Sequence, residues 1–172
     1  MAATIKNNTA FIIKSINEIS NNAPGKKALQ KLVYLIQEKG VNLGFDFGLH
    51  FYGTYCRELD TEATTLGFDE IVKFDYSDKY SHKMNVSSNF NVEADLPALE
   101  IQMILDVIDK FKNKSPYELE LLSTALYVHS HIEDKSKNSI IDGVKKIKGE
   151  KYTDKEIEDA IDYFDFFNKV IL

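Results

Sequence analysis

The stretch KKALQKLVYLIQEKG, residues 26 to 40, constrains the fold more tightly than any other part of the chain. Leu29, Leu32, Val33 and Ile36 recur at i, i+3, i+4 and i+7, the spacing that lines one face of a helix with 3.6 residues per turn. Gly40 stands where such a helix stops, because glycine reaches the left-handed terminating conformation without steric penalty. A stripe of this kind forms a stable helix only against another apolar surface. The remaining sequence supplies several.

Residues 4 to 20 set Ile12, Ile16 and Ile19 on one side at helical spacing with Phe11 beside them, and Asn21-Asn22-Ala23-Pro24-Gly25 ends that run. Gly44 to Leu49 forms an aromatic loop that leads into a short extended piece around His50 to Gly53. Cys56, Leu59, Ala63 and Leu66 repeat at helical intervals, with Gly67 at the expected exit. Ile71 to Phe74 and Tyr80 to Val86 carry strand chemistry; Tyr80, His82, Met84 and Val86 alternate with polar residues, and Tyr76 to Lys79 can turn between the two runs.

The second half reads as helical. Ile101, Ile104, Ile108 and Phe111 make one stripe, entered after Asp95-Leu96-Pro97. Ser115-Pro116-Tyr117-Glu118 is a capping box ahead of Leu122, Ala125, Leu126 and His129. Ile140, Ile141, Val144 and Ile147 give a shorter helix, and Thr153-Asp154-Lys155-Glu156 is a second capping box before Ile157, Ala160, Ile161 and Phe164. The expected fold is mainly α with a small β-hairpin, in a single domain over residues 1 to 172. A winged-helix-like part, residues 1 to 88, packs on a helical part, residues 95 to 172, and Ser87 to Ala94 is the loosest connector.

Charge and composition narrow the function classes. A net charge of −6 and a pI near 5.2 oppose indiscriminate nucleic-acid binding, which draws its affinity from neutralising phosphates. Cys56 is the only cysteine, so neither an intrachain disulfide nor a multi-cysteine metal framework can form, and a reducing cytoplasm is the expected setting. The N-terminal residues lack the unbroken apolar core of a secretion signal, and no apolar run reaches the length of a membrane span. A soluble intracellular protein is expected, with no membrane association.

A helix over residues 56 to 67 that read DNA would need cationic or amide side chains. This one sets Arg57 against Glu58, Asp60 and Glu62. Lys145, Lys146, Lys148 and Lys151 form the candidate nucleic-acid patch for the alternative function, a winged-helix DNA-binding regulator; the blander reading is a solvated helix face near a C-terminus. An enzyme would have to pair Cys56 with a histidine or ligate a metal through His129 and His131, whose i, i+2 spacing splits the rings on a helix. No phosphate-cradling glycine loop, G-x-S-x-G elbow or H-E-x-x-H pair occurs. Neither a catalytic constellation nor a cofactor is expected.

Leu29-Gln30-Lys31-Leu32-Val33-Tyr34-Leu35, taken with Phe51-Tyr52-Gly53-Thr54-Tyr55-Cys56-Arg57-Glu58-Leu59, resembles the YwgA-like proteins and the related Panacea antitoxin domains. Ser115 to Leu122 followed by Ser123-Thr124 looks like the later helix of the YwgA-like group. Thr54 departs from the proline usual in the aromatic motif, which implies a less rigid turn. The resemblance implies a partner-binding scaffold, antitoxin-like or adaptor-like, with a toxin or protease system among the implied protein partners. Phe45, Phe47, Phe51, Tyr52, Tyr55 and Arg57 are the expected partner-binding residues, since Tyr and Arg are enriched where proteins dock; homo-association through such a patch is a further option. The structural alternative is that Tyr34 and these aromatics pack the second helix against the third while Arg57 pairs with an acid.

Overall fold

The computed structural model describes the backbone from Ala2 to Leu172 and side chains from Lys6 onward. Helices dominate: α1 (Ala2–Ser20), α2 (Lys26–Lys39), α3 (Arg57–Phe68), α4 (Ala98–Phe111), α5 (Pro116–His131), α6 (Lys137–Lys148) and α7 (Asp154–Ile161). Two small antiparallel hairpins interrupt them, β1 (Gly48–His50) with β2 (Gly53–Tyr55) and β3 (Val72–Asp75) with β4 (Lys83–Val86). The protein is mainly α with a small β component.

Local chemistry accounts for where the helices begin and end. Gly40 closes α2 at φ 117°, its N–H bonded back to the last turn. In α5 the Ser115 hydroxyl accepts from the Glu118 N–H while the Glu118 carboxylate accepts from the Ser115 N–H, with Pro116 at the first helical position; Thr153 and Glu156 repeat the reciprocal cap on α7. Gly67 does not end α3. It stays within the helix with the Phe74 ring against it, where a Cβ would come within 2.6 Å, and the chain leaves through Asp69 and Glu70.

α5 is the centre of the molecule, buried on almost every side and packed on α2, α6, α7 and β2. Its burial explains why it is apolar around most of its circumference instead of along one stripe. α2 is likewise buried from Leu29 to Ile36, against α4 and α5 on one side and α3 and β2 on the other. The apolar core is one connected cluster running from Ile12 in α1 to Phe167 in the 3-10 turn after α7.

The hairpins differ from the sequence reading. The piece expected around His50 to Gly53 is the turn of a hairpin whose strands flank it. β4 is shorter than the alternation suggests: Tyr80 and His82 lie in an exposed loop before it, while Met84 is fully buried and Val86 partly so. Gly25 makes an isolated bridge to Lys83 and the Met84 N–H donates to the Pro24 carbonyl, so the α1–α2 connection closes the outer edge of β4. Ile147 points outward from the last turn of α6.

Candidate functional site

Two polar residues interrupt the apolar run of α2, and both are buried: Gln30 and Lys31. The Gln30 amide holds both backbone groups of Cys56, donating to its carbonyl at 2.9 Å and accepting from its N–H at 2.8 Å. Lys31 Nζ donates to the Thr54 carbonyl at 2.6 Å. Together they pin β2 and the entry to α3 onto the side of α2.

From the opposite side α5 contributes Glu120, also buried. Its Oε1 accepts from Lys148 Nζ at 2.8 Å and from Lys151 Nζ at 2.7 Å, and Lys148 donates as well to the Phe51 carbonyl at 2.8 Å. Gly53 fits between the two sides in the left-handed region at φ 87°, with a would-be Cβ 2.9 Å from Glu120 Cγ and 3.4 Å from Lys31 Cε. Only glycine meets both demands.

Three lysines thus surround one carboxylate, two of them, Lys31 and Lys148, buried with it and Lys151 reaching in from the surface. Burial pushes the Lys31 amine down to about 8, against the opposing pull of Glu120 and with help from the charges of Lys148, Lys27 and Lys151. Burial pushes the Glu120 carboxyl upward, but hydrogen bonds and charge from Lys148 and Lys151 outweigh it, and the net shift is downward. Removing Glu120 from this knot would leave the Lys148 ammonium desolvated without its counter-charge.

What the knot supports is an aromatic tip. Phe51 is 85% exposed and Tyr52 52%, their rings 5.0 Å apart and edge-on. The Lys27 ammonium sits 3.8 Å above the Tyr52 ring, and His50 and Tyr55 pair at 4.8 Å on the flank. Beside the tip opens a pocket of about 340 Å³ lined by Lys27, Lys31, His50, Tyr52, Tyr55 and Asp60.

The other expected partner-binding residues lie elsewhere. Phe47 packs edge-on against Tyr34 at 5.3 Å, Phe45 follows it, and the Gln37 amide clasps the Phe45 backbone, so this pair belongs to the packing of α2. Arg57 is exposed at the start of α3 and makes no ion pair among the described residues. The lysines grouped in sequence do not form one outward patch: Lys145 pairs with Asp154, Lys148 and Lys151 turn to Glu120, and Lys146 alone stands free of such a contact. Cys56 is buried at the N-cap of α3, where burial raises its thiol pKa and its Sγ contacts Glu58 at 3.2 Å. His129 bonds the Val170 carbonyl at 2.9 Å and His131 the Tyr127 carbonyl at 2.8 Å. Among the described residues no three His, Cys, Asp or Glu side chains gather as a metal site would require, and no helix is long and apolar enough to cross a membrane.

Compared with known proteins, the chain is 28% identical over 149 residues to a protein of Bacillus subtilis (strain 168) named uncharacterized protein YwgA, a match that covers 85% of this chain and 88% of that one. The chain is similar to YwgA over most of its length. No protein-family model matches it, and the likeness is to YwgA and says nothing of the Panacea domain. With 85% of the chain covered, the match takes in the β1–β2 hairpin and α5. The β1–β2 hairpin also has no need of an N–H at position 54, where the resemblance implies proline. The Thr54 carbonyl faces Lys31, so the Leu49–Thr54 pair is not the hydrogen-bonded kind, and the N–H that proline lacks is one β1 does not use.

Proposed function

We propose that the protein is a non-enzymatic, cytoplasmic protein-interaction module, adaptor-like or antitoxin-like, that docks a protein partner through the β1–β2 tip. The observation that carries this reading is the exposed Phe51–Tyr52 pair held from behind by Lys31, Glu120 and Lys148. Exposed aromatics on a fixed backbone lose little conformational freedom when they bind, and such residues dominate the energy of protein interfaces. Support also comes from Cys56, His129 and His131, each engaged by contacts within the fold. The test is affinity capture from native cells with wild type and the Phe51→Ala/Tyr52→Ala variant, followed by co-expression with the captured protein. A specific partner lost in the variant, with folding unchanged, supports the reading. Equal capture by both chains removes the tip from it.

A winged-helix DNA-binding regulator is the second reading, and the Gly25–Lys83 bridge favours it, because it sets the α1–α2 connection beside β4 and β3 as in a winged-helix unit. Against it, α3 is acidic and three of the four clustered lysines are engaged with carboxylates. A sequence-selective mobility shift with steep salt dependence would reverse the preference.

A further inference from the structure

The outer edge of β3 is open. In the hairpin, Lys73 faces Asn85 and Asp75 faces Lys83, and the Ser87 N–H donates to the Ile71 carbonyl, whereas Met84, opposite Phe74, turns its N–H away to Pro24. The alternation of an antiparallel ladder then directs the N–H and C=O of Val72 and Phe74 outward, away from β4. No other described residue bonds them. Around this edge the surface is unusually aromatic: Phe68 is 83% exposed, Tyr76 is exposed and stacked on Phe74 at 6.1 Å, and Phe90 lines the same groove. An unpaired edge beside exposed apolar rings is a template on which another strand can pair.

We propose that the strand is β3 of a second copy of this chain, so that two hairpins join antiparallel across a twofold axis at Phe74. Only outward-facing residues can exchange hydrogen bonds, which restricts the pairing to registers that set even positions against even ones. With Phe74 opposite Phe74 of the second copy, Lys73 faces Asp75 and Asp75 faces Lys73, while Val72 meets Tyr76. Sliding by two residues instead sets Lys73 against Lys73, and like charges directly opposite are destabilising. The sequence Val72-Lys73-Phe74-Asp75-Tyr76 therefore complements itself in one register, and the same two charges discourage most other strands. Lys73 and Asp75 are exposed on the face away from Val72, which is buried, so neither is needed for the core.

Sedimentation equilibrium over a concentration series decides the matter. Wild type should form dimers. Lys73→Asp alone and Asp75→Lys alone should each weaken self-association by about tenfold or more, since two facing pairs become repulsive in each. An equimolar mixture of the two variants should regain a dimer, now mixed, because the two aspartates on the strand of one chain then face the two lysines on the strand of the other. Circular dichroism checks that each variant is folded, and Phe51→Ala/Tyr52→Ala should dimerise like wild type, which separates this surface from the hairpin tip. A wild-type monomer at the highest soluble concentration, or variants that dimerise unchanged, overturns the proposal; so does a mixture that stays monomeric while both variants are folded.

Discussion

Lys31 shows how one side chain can tie stability to pH. Its amine titrates near 8 in the folded chain against 10.5 in the unfolded one, so between those values the unfolded chain binds more protons and folding becomes more favourable as pH rises. Below pH 8 the buried charge opposes folding by about 3 kcal/mol, since each pH interval of one between the folded and unfolded values is worth about 1.4 kcal/mol. Urea melts of wild type and Lys31→Met should therefore diverge: wild type gains on the variant as pH climbs through this window, and parallel pH profiles would show that the amine is not desolvated. Gly53 makes a second case. Gly53→Ala should lose about 2 to 4 kcal/mol, because the left-handed φ and the 2.9 Å approach to Glu120 both resist a Cβ. Gly44→Ala has a similar φ of 79° with nothing near its Cβ, and should lose only about 1 kcal/mol. Equal losses in chemical melts would mean that the Glu120 contact does not matter.

At the scale of the element, the hairpin β1–β2 is too short to hold itself and depends on α2 and α5 for its shape. Glu120→Gln should destabilise by about 3 to 5 kcal/mol, because Lys148 stays buried without its counter-charge, whereas Glu120→Leu combined with Lys148→Met should recover much of that loss. A denaturant double-mutant cycle with no coupling between the two positions would dismiss the charge knot. The sequence revealed only part of this. Both capping boxes and the Gly40 stop were readable because caps act within four residues, and Leu59, Ala63 and Leu66 were readable because burial follows the helical period. The lysine cluster was not readable as a buried knot, because Glu120 lies in the preceding helix, α5, and its neighbours form no pattern with Lys148 or Lys151. A usable signal was present in Gln30 and Lys31, two polar residues inside an otherwise apolar helix. Phe45 and Phe51 were indistinguishable in sequence; Tyr34 against Phe47 partly buries the Phe45–Phe47 pair, and the two-residue turn exposes the other.

For the whole molecule, the two halves distinguished in the sequence share their apolar surface. α1 packs on α4, and α2 packs on both α4 and α5. The C-terminal segment returns to the first half: Lys169 pairs with Glu38 at 2.8 Å, and Lys39 donates to the Phe166 carbonyl. Residues of α2, buried from Leu29 to Ile36 in a helix packed on α4 and α5, would lose part of their cover if residues 95 to 172 were removed. Burying a side chain of that size contributes about 1.5 to 3 kcal/mol, and several are at stake against a total stability of about 5 to 15 kcal/mol. Calorimetry on the full chain should consequently show one transition, with calorimetric and van't Hoff enthalpies in agreement. A fragment of residues 1 to 88 should show no cooperative melt, although it holds three helices and both hairpins. Two separated transitions, or a fragment that melts cooperatively near the temperature of the intact chain, would mean that the α2–α4–α5 contact joins two independently stable units instead of forming one core.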